Sequence, residues 1–284
     1  MKKILAITLA MLIGVMSFAF AGCGKTNTTD NKGTEKPTAA DSDLAYVKEK
    51  GKLVIGITDW APMDYKENGE WVGFDVEYGK AVCAKLGVTP EFKEIEWNSK
   101  EMSLKTKEID CIWNGMTITD AIMAAADVTG AYMYNYQVIV VKDNKTFNSI
   151  ASLEGKTVVA EQGSAGETAA KEDAVLSKNY KPVRAQSDAL LQVKSGQADA
   201  CVIDHIMADE MLAEGKSYSD LSTIESVKLG EESYGIAFRT GSDIVAEVDK
   251  ITAELFTNGT MKQIADKYDV TESLVQSFVA GENK

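Results

Sequence analysis

From residue 44 onward, short runs of strand-forming residues alternate with amphipathic helical stretches, and the whole alternation occurs twice. Residues 52–57 (Lys-Leu-Val-Ile-Gly-Ile) read as a strand, residues 74–86 as an amphipathic helix stopped by Gly87, 90–95 as a strand, 99–107 as a helix and 110–113 as a strand. A second unit opens with a strand at 156–160, runs through a helix at 165–176 and returns with a strand at 200–203. Strand-helix-strand order forces the strands to lie parallel, since the helix provides the crossover, and helices then cover both faces of the sheet. The expectation is an α/β protein with two lobes.

Two further apolar runs, 137–141 and 233–238, are each long enough to pass from one lobe to the other. Two crossings split the first lobe in sequence: 44–138 and 233–284 on one side, 139–232 on the other. The helical stretches 244–258 and 260–268 pack on one of the two lobes. Ligands of such sheets bind beyond the carboxyl ends of the strands, so the expected site is the crevice between the lobes.

The first 22 residues read as an export signal, with Lys2 and Lys3 ahead of the uncharged apolar run 4–20. That run is short of the roughly 20 residues a membrane-spanning helix needs. It ends in Phe20-Ala21-Gly22-Cys23, which resembles the bacterial lipoprotein signal and implies a lipidated Cys23 as the mature N-terminus. Residues 24–43 are polar, without a large apolar side chain, and read as a flexible tether. The protein is therefore expected at the outer face of the cytoplasmic membrane, held there by lipid alone.

Charge and residue content exclude several classes of function. Acidic residues outnumber basic ones 43 to 30, for a net charge of −13, so the field repels nucleic acid. Cys83, Cys111 and Cys201 each sit in an apolar run with no C-x-x-C spacing and no His-rich neighbourhood, the pattern of small core residues rather than of a zinc site or disulfide framework. The single histidine, His205, reads as a helix-start residue near the cleft rim, and no Gly-x-Ser-x-Gly elbow accompanies it. There is no Walker A or Gly-x-Gly-x-x-Gly sequence after any strand. No metal, no cofactor and no catalytic residue is expected.

Three motifs in order, Gly69-Glu70-Trp71-Val72-Gly73-Phe74-Asp75-Val76, Trp113-Asn114-Gly115-Met116-Thr117-Ile118-Thr119 and Gln162-Gly163-Ser164-Ala165-Gly166-Glu167, resemble the polar amino-acid-binding family of extracellular solute-binding proteins that serve ABC transporters. The resemblance spans about residues 44–278. It implies the type II periplasmic-binding-protein fold, two lobes closing on one small ligand, and a monomer that delivers its ligand to a permease. Carried over residue by residue, it makes Asn114-Gly115-Met116-Thr117 a turn offering backbone groups and the Thr117 hydroxyl, and Trp60 the aromatic that stacks on the ligand. Trp113 precedes that turn as a ligand contact or a core residue. Gln162 and Ser164, with Gly163 between them, form the loop whose N–H groups and hydroxyl meet a carboxylate at a helix N-terminus. Asp204 is the acid that receives an ammonium group, and Asp59 would suit a cation as well.

One position breaks the family's pattern. The usual Thr-x-x-Arg, whose guanidinium forks onto an α-carboxylate, is here Thr119-Asp120-Ala121-Ile122, and an aliphatic chain cannot imitate a planar bidentate donor. Either the carboxylate is held by backbone N–H groups, Thr117 and Ser164, with Lys100 or Arg184 moving in, or the ligand is an amine with no α-carboxylate. The reading is thus a non-enzymatic carrier of a small polar nitrogenous solute, an amino acid or amino-acid-like amine. A dehydratase-like cleft enzyme and a ligand sensor are the alternatives on the same scaffold.

Overall fold

The computed structural model describes residues 42–282. The signal segment, Cys23 and nearly all of the tether lie outside the described residues. The last two tether residues belong to the fold: Ser42 caps helix α1 (Asp43–Lys50) by accepting the Ala45 N–H at 2.9 Å, and Asp43 binds Arg239.

After α1 come strand β1 (Lys52–Ile57), a small hairpin of β2 (Tyr65–Glu67) and β3 (Glu70–Val72), helix α2 (Phe74–Leu86) and β4 (Thr89–Glu94). A 3-10 turn at Trp97–Ser99 leads into α3 (Lys100–Lys105), followed by β5 (Cys111–Thr117), α4 (Asp120–Ala125) and β6 (Ala126–Val128). Strand β7 (Met133–Val141) crosses to the second lobe, built from β8 (Val158–Glu161), α5 (Ala165–Glu172), β9 (Tyr180–Val183), α6 (Gln186–Ser195), β10 (Ala200–Asp204), α7 (His205–Leu212) and β11 (Ser222–Thr223). Strand β12 (Leu229–Arg239) crosses back to α8 (Ile244–Thr257) and α9 (Thr260–Lys267), which pack on α2 in the first lobe.

The strands run β4-β1-β5-β12-β7-β10-β8-β9, parallel within each lobe except at the crossing strands. Strands β7 and β12 pair antiparallel with each other, Tyr234 opposite Met133 and Glu232 opposite Asn135, so the two crossings form one ribbon joining the lobes. Parallel strands covered on both faces need apolar residues on both faces. In β1 alternate residues divide accordingly, Leu53, Ile55 and Ile57 entering the core under α2 and Val54 the opposite core with Ile112 and Leu104. The three described cysteines are buried and free, and burial pushes their thiols up.

Four elements differ from the sequence expectation. Strand β9 and helix α6 lie between the expected helix at 165–176 and the strand at 200–203: β9 carries Pro182, which an edge strand tolerates, and α6 opens with polar Gln-Ser-Asp, so neither has a strong apolar period. The helix itself stops at Glu172, where Asp173 takes the Val175 and Leu176 N–H groups and turns the chain. The expected turn at Asn114–Thr117 is the continuation of β5, paired with β12 through Thr117 opposite Tyr234.

Candidate functional site

Strand β5 runs on past Trp113 through an irregularity in its pairing with β12, where a buried acid supports it from α2. The Asp75 carboxylate accepts the Gly115 N–H at 2.7 Å, the Trp113 indole N–H at 3.2 Å and the Tyr132 hydroxyl at 3.0 Å. Burial pushes this carboxyl up to about 7, those three donors opposing it. Gly115 has φ +54°, and a Cβ there would meet the Trp60 ring at 2.5 Å, so only glycine lets that indole lie against the strand. Trp113 is therefore not a cleft residue: it is fully buried, edge-on to Tyr78 at 4.6 Å. Asn114 is likewise structural, its amide accepting the Thr58 N–H at 2.7 Å and donating to the Thr58 hydroxyl at 2.8 Å.

The residues at the carboxyl ends of β5, β8 and β10, with those on the crossing ribbon, form a polar cluster between the lobes. Asp204, ending β10, accepts the side-chain N–H groups of Asn135 (2.6 Å), Gln137 (2.8 Å) and Gln186, and the Tyr234 hydroxyl at 2.8 Å. Its own N–H goes to the Gln186 carbonyl at 2.9 Å, which fixes the orientation of that amide. Glu232 on β12 shares the donors Asn135 and Gln137 and accepts the Thr117 hydroxyl at 2.8 Å. Burial pushes Glu232 up to about 8, and the adjacent Asp204 charge adds to the shift. Two buried carboxyls sharing donors cannot both ionise cheaply.

Beside this cluster lies a cavity of about 180 Å³ that both lobes line. Lys100, Thr117 and Ile122 come from the first lobe, Gly163, Ser164 and Ala165 from the second. Ser164 caps α5 by accepting the Glu167 N–H at 3.1 Å, and among the described residues no acceptor takes the Ala165 and Gly166 N–H groups, which face anions favourably. Lys100 is only 6% exposed; its ammonium donates to the Gly163 carbonyl at 3.0 Å across the lobe boundary and stands 4.7 Å over the Trp97 ring. Burial lowers its pKa, with Glu101 opposing. A Cβ on Gly163, at φ +80°, would fall 2.9 Å from the Asn98 Cα, so the lobes touch here backbone to backbone.

Of the residues the sequence singled out, Thr117, Gly163, Ser164 and Ile122 line this cavity and Asp204 lies in the adjoining cluster. Trp60 is buried against Gly115, with its indole N–H unpartnered. Gln162 is exposed, its N–H bound to the Val183 carbonyl, and Asp59 is exposed near Lys66 and Glu94, outside the acid cluster. Arg184 is on the surface, paired with Glu96 at 3.3 Å, whereas Lys100 occupies the cavity. His205 starts α7, stacked on Tyr136 at 4.1 Å and paired with Asp209 at 3.1 Å. Sequence reasoning missed Glu161, Glu232, Asn135, Gln137, Gln186 and Tyr234. Glu161 directly precedes the Gln162-Gly163-Ser164 motif and Glu232 directly precedes the second crossing run, so adjacency was the available signal.

The model for the bacterial extracellular solute-binding proteins, family 3, matches residues 53–271. The chain belongs to this family. The arginine-binding extracellular protein ArtP of Bacillus subtilis is 32% identical to this solute-binding protein over 94% of the chain and 98% of the relative. The crystal structure of Tv2483 bound to L-arginine superposes with a TM-score of 0.75 at 27% identity, over 81% of this chain and 96% of that one. The ancestral amino acid-binding protein AncCDT-1, a precursor of cyclohexadienyl dehydratase, gives 0.73 at 28%, over 80% and 99%. Among the described residues of this solute-binding protein no helix is long and apolar enough to cross a membrane.

Proposed function

We propose that this protein captures an amino acid or an amino-acid-like amine outside the cell and delivers it to an ABC permease, as a monomer tethered through lipidated Cys23. The lobes then divide at 138/139 and 232/233, within or beside the crossing strands. The observation that carries the reading is Asp204: a buried acid at a strand's carboxyl end, on the cleft, oriented by four side-chain donors. A carboxylate held this rigidly is prepared for an ammonium group, with little ordering cost left at binding. Lys100, Thr117, Ser164 and the open α5 N–H groups supply a pole of opposite character for a carboxylate, without the guanidinium that Ile122 replaces. The arginine named for ArtP and Tv2483 fits both poles.

The test is a thermal-shift screen of amino acids and amines, followed by calorimetry on the hits, because a ligand that binds only the folded form raises its melting temperature. No shift with any nitrogenous solute would refute the reading. A cleft enzyme has one observation in its favour: a carboxyl raised to about 8 beside another acid is the arrangement of a general acid. Recovery of the bound compound chemically unchanged after prolonged incubation separates carriage from turnover.

A further inference from the structure

We propose that Asp64 is a positioning residue for Trp60 and gives its ring two places: against β5 while Asp64 is neutral, and drawn toward the Asp64 carboxylate, with the indole N–H donated there, once the acid is ionised. This rests on the proposed capture of a nitrogenous solute, for which Trp60 is the candidate aromatic contact, and it names a control on that ring from inside the first lobe.

Trp60 and Asp64 face each other across a tight loop between β1 and β2. The Trp60 N–H donates to the Asp64 carbonyl at 2.6 Å and the Asp64 N–H to the Trp60 carbonyl at 3.0 Å. Residues paired in this way have Cα atoms about 5.5 Å apart and send their side chains to the same face. The loop is stitched to the start of α2, where the Pro62 and Met63 carbonyls take the Phe74 and Asp75 N–H groups at 2.9 and 3.0 Å. Both side chains are sealed in, Asp64 with no exposure and Trp60 with 4%. Yet among the described residues neither oxygen of Asp64 has a hydrogen-bond partner, and neither has Trp60 Nε1. One face of the loop thus holds an unused donor beside an unused carboxyl, and buried polar groups left in that state are costly and scarce.

The neighbours explain why the carboxyl stands idle. The charges that bear on it are those of Asp75, from α2, and Asp59, from its own loop, both of like sign. Tyr132 feels the Asp64 charge too, but its hydroxyl is committed to Asp75, as are the Trp113 indole and the Gly115 N–H. Burial first, and then those two acids, hold the Asp64 carboxyl well above the usual carboxylate range with no donor to oppose them, whereas three donors oppose the rise of Asp75. Asp75 therefore gives up its proton first, and its charge keeps the other proton on Asp64. A neutral Asp64 leaves the Trp60 ring in the space that Gly115 provides. An ionised Asp64 needs a donor, and the unspent one on its face of the loop is the Trp60 indole N–H. Hydrogen bonds to a charged acceptor are roughly twice as strong as neutral ones. Turning the indole that way lifts the ring off Gly115, which directly precedes Met116 and Thr117 on the wall of the cleft cavity.

The experiment follows the indole N–H resonances of the full chain, labelled with nitrogen-15 tryptophan, from pH 6 to 9.5, the Trp60 signal being assigned by its loss in Trp60→Phe. We expect the Trp60 proton to move downfield in a single step at higher pH than the step of Trp113, which reports Asp75. Asp64→Asn, neutral and nearly the same shape, should abolish the Trp60 step and keep that of Trp113. A Trp60 signal that stays in place, or a step that persists in Asp64→Asn, would overturn the inference without any ligand being needed. Calorimetry with L-arginine at pH 6.5 and 9 reads the consequence: wild type should lose about tenfold more affinity over that range than Asp64→Asn, which keeps every other titrating group of the cleft. Equal losses in the two proteins would overturn the positioning role while the carrier function stands. Failure of arginine and of a full amino-acid panel to bind at either pH would overturn the carrier function, and the indole titration would still decide the two places of the ring.

Discussion

Replacing Asp204 tests the centre of the proposed site, and the choice of substitute decides whether the experiment is readable. Asp204→Ala would strand the side-chain donors of Gln186 and Tyr234 in a buried place and leave those of Asn135 and Gln137 to Glu232 alone. At about 1–3 kcal/mol for each orphaned group the loss is about 2–6 kcal/mol, a large part of the stability of an ordinary domain. Asp204→Asn keeps an acceptor toward Asn135, Gln137 and Tyr234 and turns its amide toward Gln186. That one donor-to-donor contact cannot be relieved by an amide flip, because the Gln186 carbonyl already takes the residue 204 N–H. The expected stability cost is therefore about 1–3 kcal/mol. For a ligand ammonium the loss of the charged partner is larger, on the order of 2–5 kcal/mol, or roughly thirtyfold to several thousandfold in Kd. Calorimetry with the best ligand of the thermal-shift panel, beside a denaturant melt of each protein, measures both quantities. Affinity within threefold of wild type in a folded Asn variant would mean that no cation contacts Asp204.

Gly163→Ala should hinder the approach of the lobes, since the new Cβ falls 2.9 Å from the Asn98 Cα, and it adds left-handed backbone strain at φ +80° that does not depend on that contact. A drop of about five- to thirtyfold in affinity, with a larger ligand-bound radius of gyration by small-angle scattering, is expected from an overpacked contact costing about 1–2 kcal/mol, apart from the backbone strain that the free protein carries equally. For pH the sign follows from raised values: Glu161 and Glu232 at about 8 and Asp75 at about 7 hold protons in the folded state that the unfolded chain releases near 4. Their contribution is complete below pH 4 and is lost as pH climbs toward 8, up to about 1.4 kcal/mol per pH unit for each group. The ligand-free melting temperature should fall between pH 5 and 8, and a flat profile would refute the protonated cleft. Ile122→Arg would set a guanidinium among Trp97, Met116 and Lys100; it should weaken binding of a diamine at least tenfold, and an unchanged Kd for every compound would show that residue 122 does not face the ligand. Cys23→Ser should release the protein into the medium, as followed by immunoblot of cell and supernatant fractions.

The fold was legible because its central strands are buried on both faces and several of its helices are closed by glycines. The run at 52–57 is β1, and the helix at 74–86 ends at Gly87, φ +75°. What could not be read depended on partners distant in sequence. Asn114 looks like a turn residue until Thr58 takes both ends of its amide, and Gly115 looks like a turn glycine until Trp60 lies against it. Trp113 offers an aromatic face of the kind that stacks on ligands, and only Asp75, 38 positions away, commits its indole to the interior. Asp204 was legible as a strand-end acid. Its companion Glu232 was not, because nothing local distinguishes an acid in a crossing strand from one on a solvated edge, and the structure sets Glu232 opposite Asn135 across the ribbon.

In the proposed capture that ribbon is also the axle on which the lobes would turn. Asn135, Gln137 and Glu232 ride on it, close to the axis, where a swing of the lobes displaces atoms least. Lys100 and Gly163 sit out on the jaws, where the same swing carries them furthest. An incoming solute would thus meet its first acceptors already assembled while the mouth is open, and the Lys100 contact would form only as the jaws come together. Recognition and retention would then be separated in space along a single mechanical arm: residues near the axle would govern how readily a solute is picked up, and those at the jaw tips how long it stays.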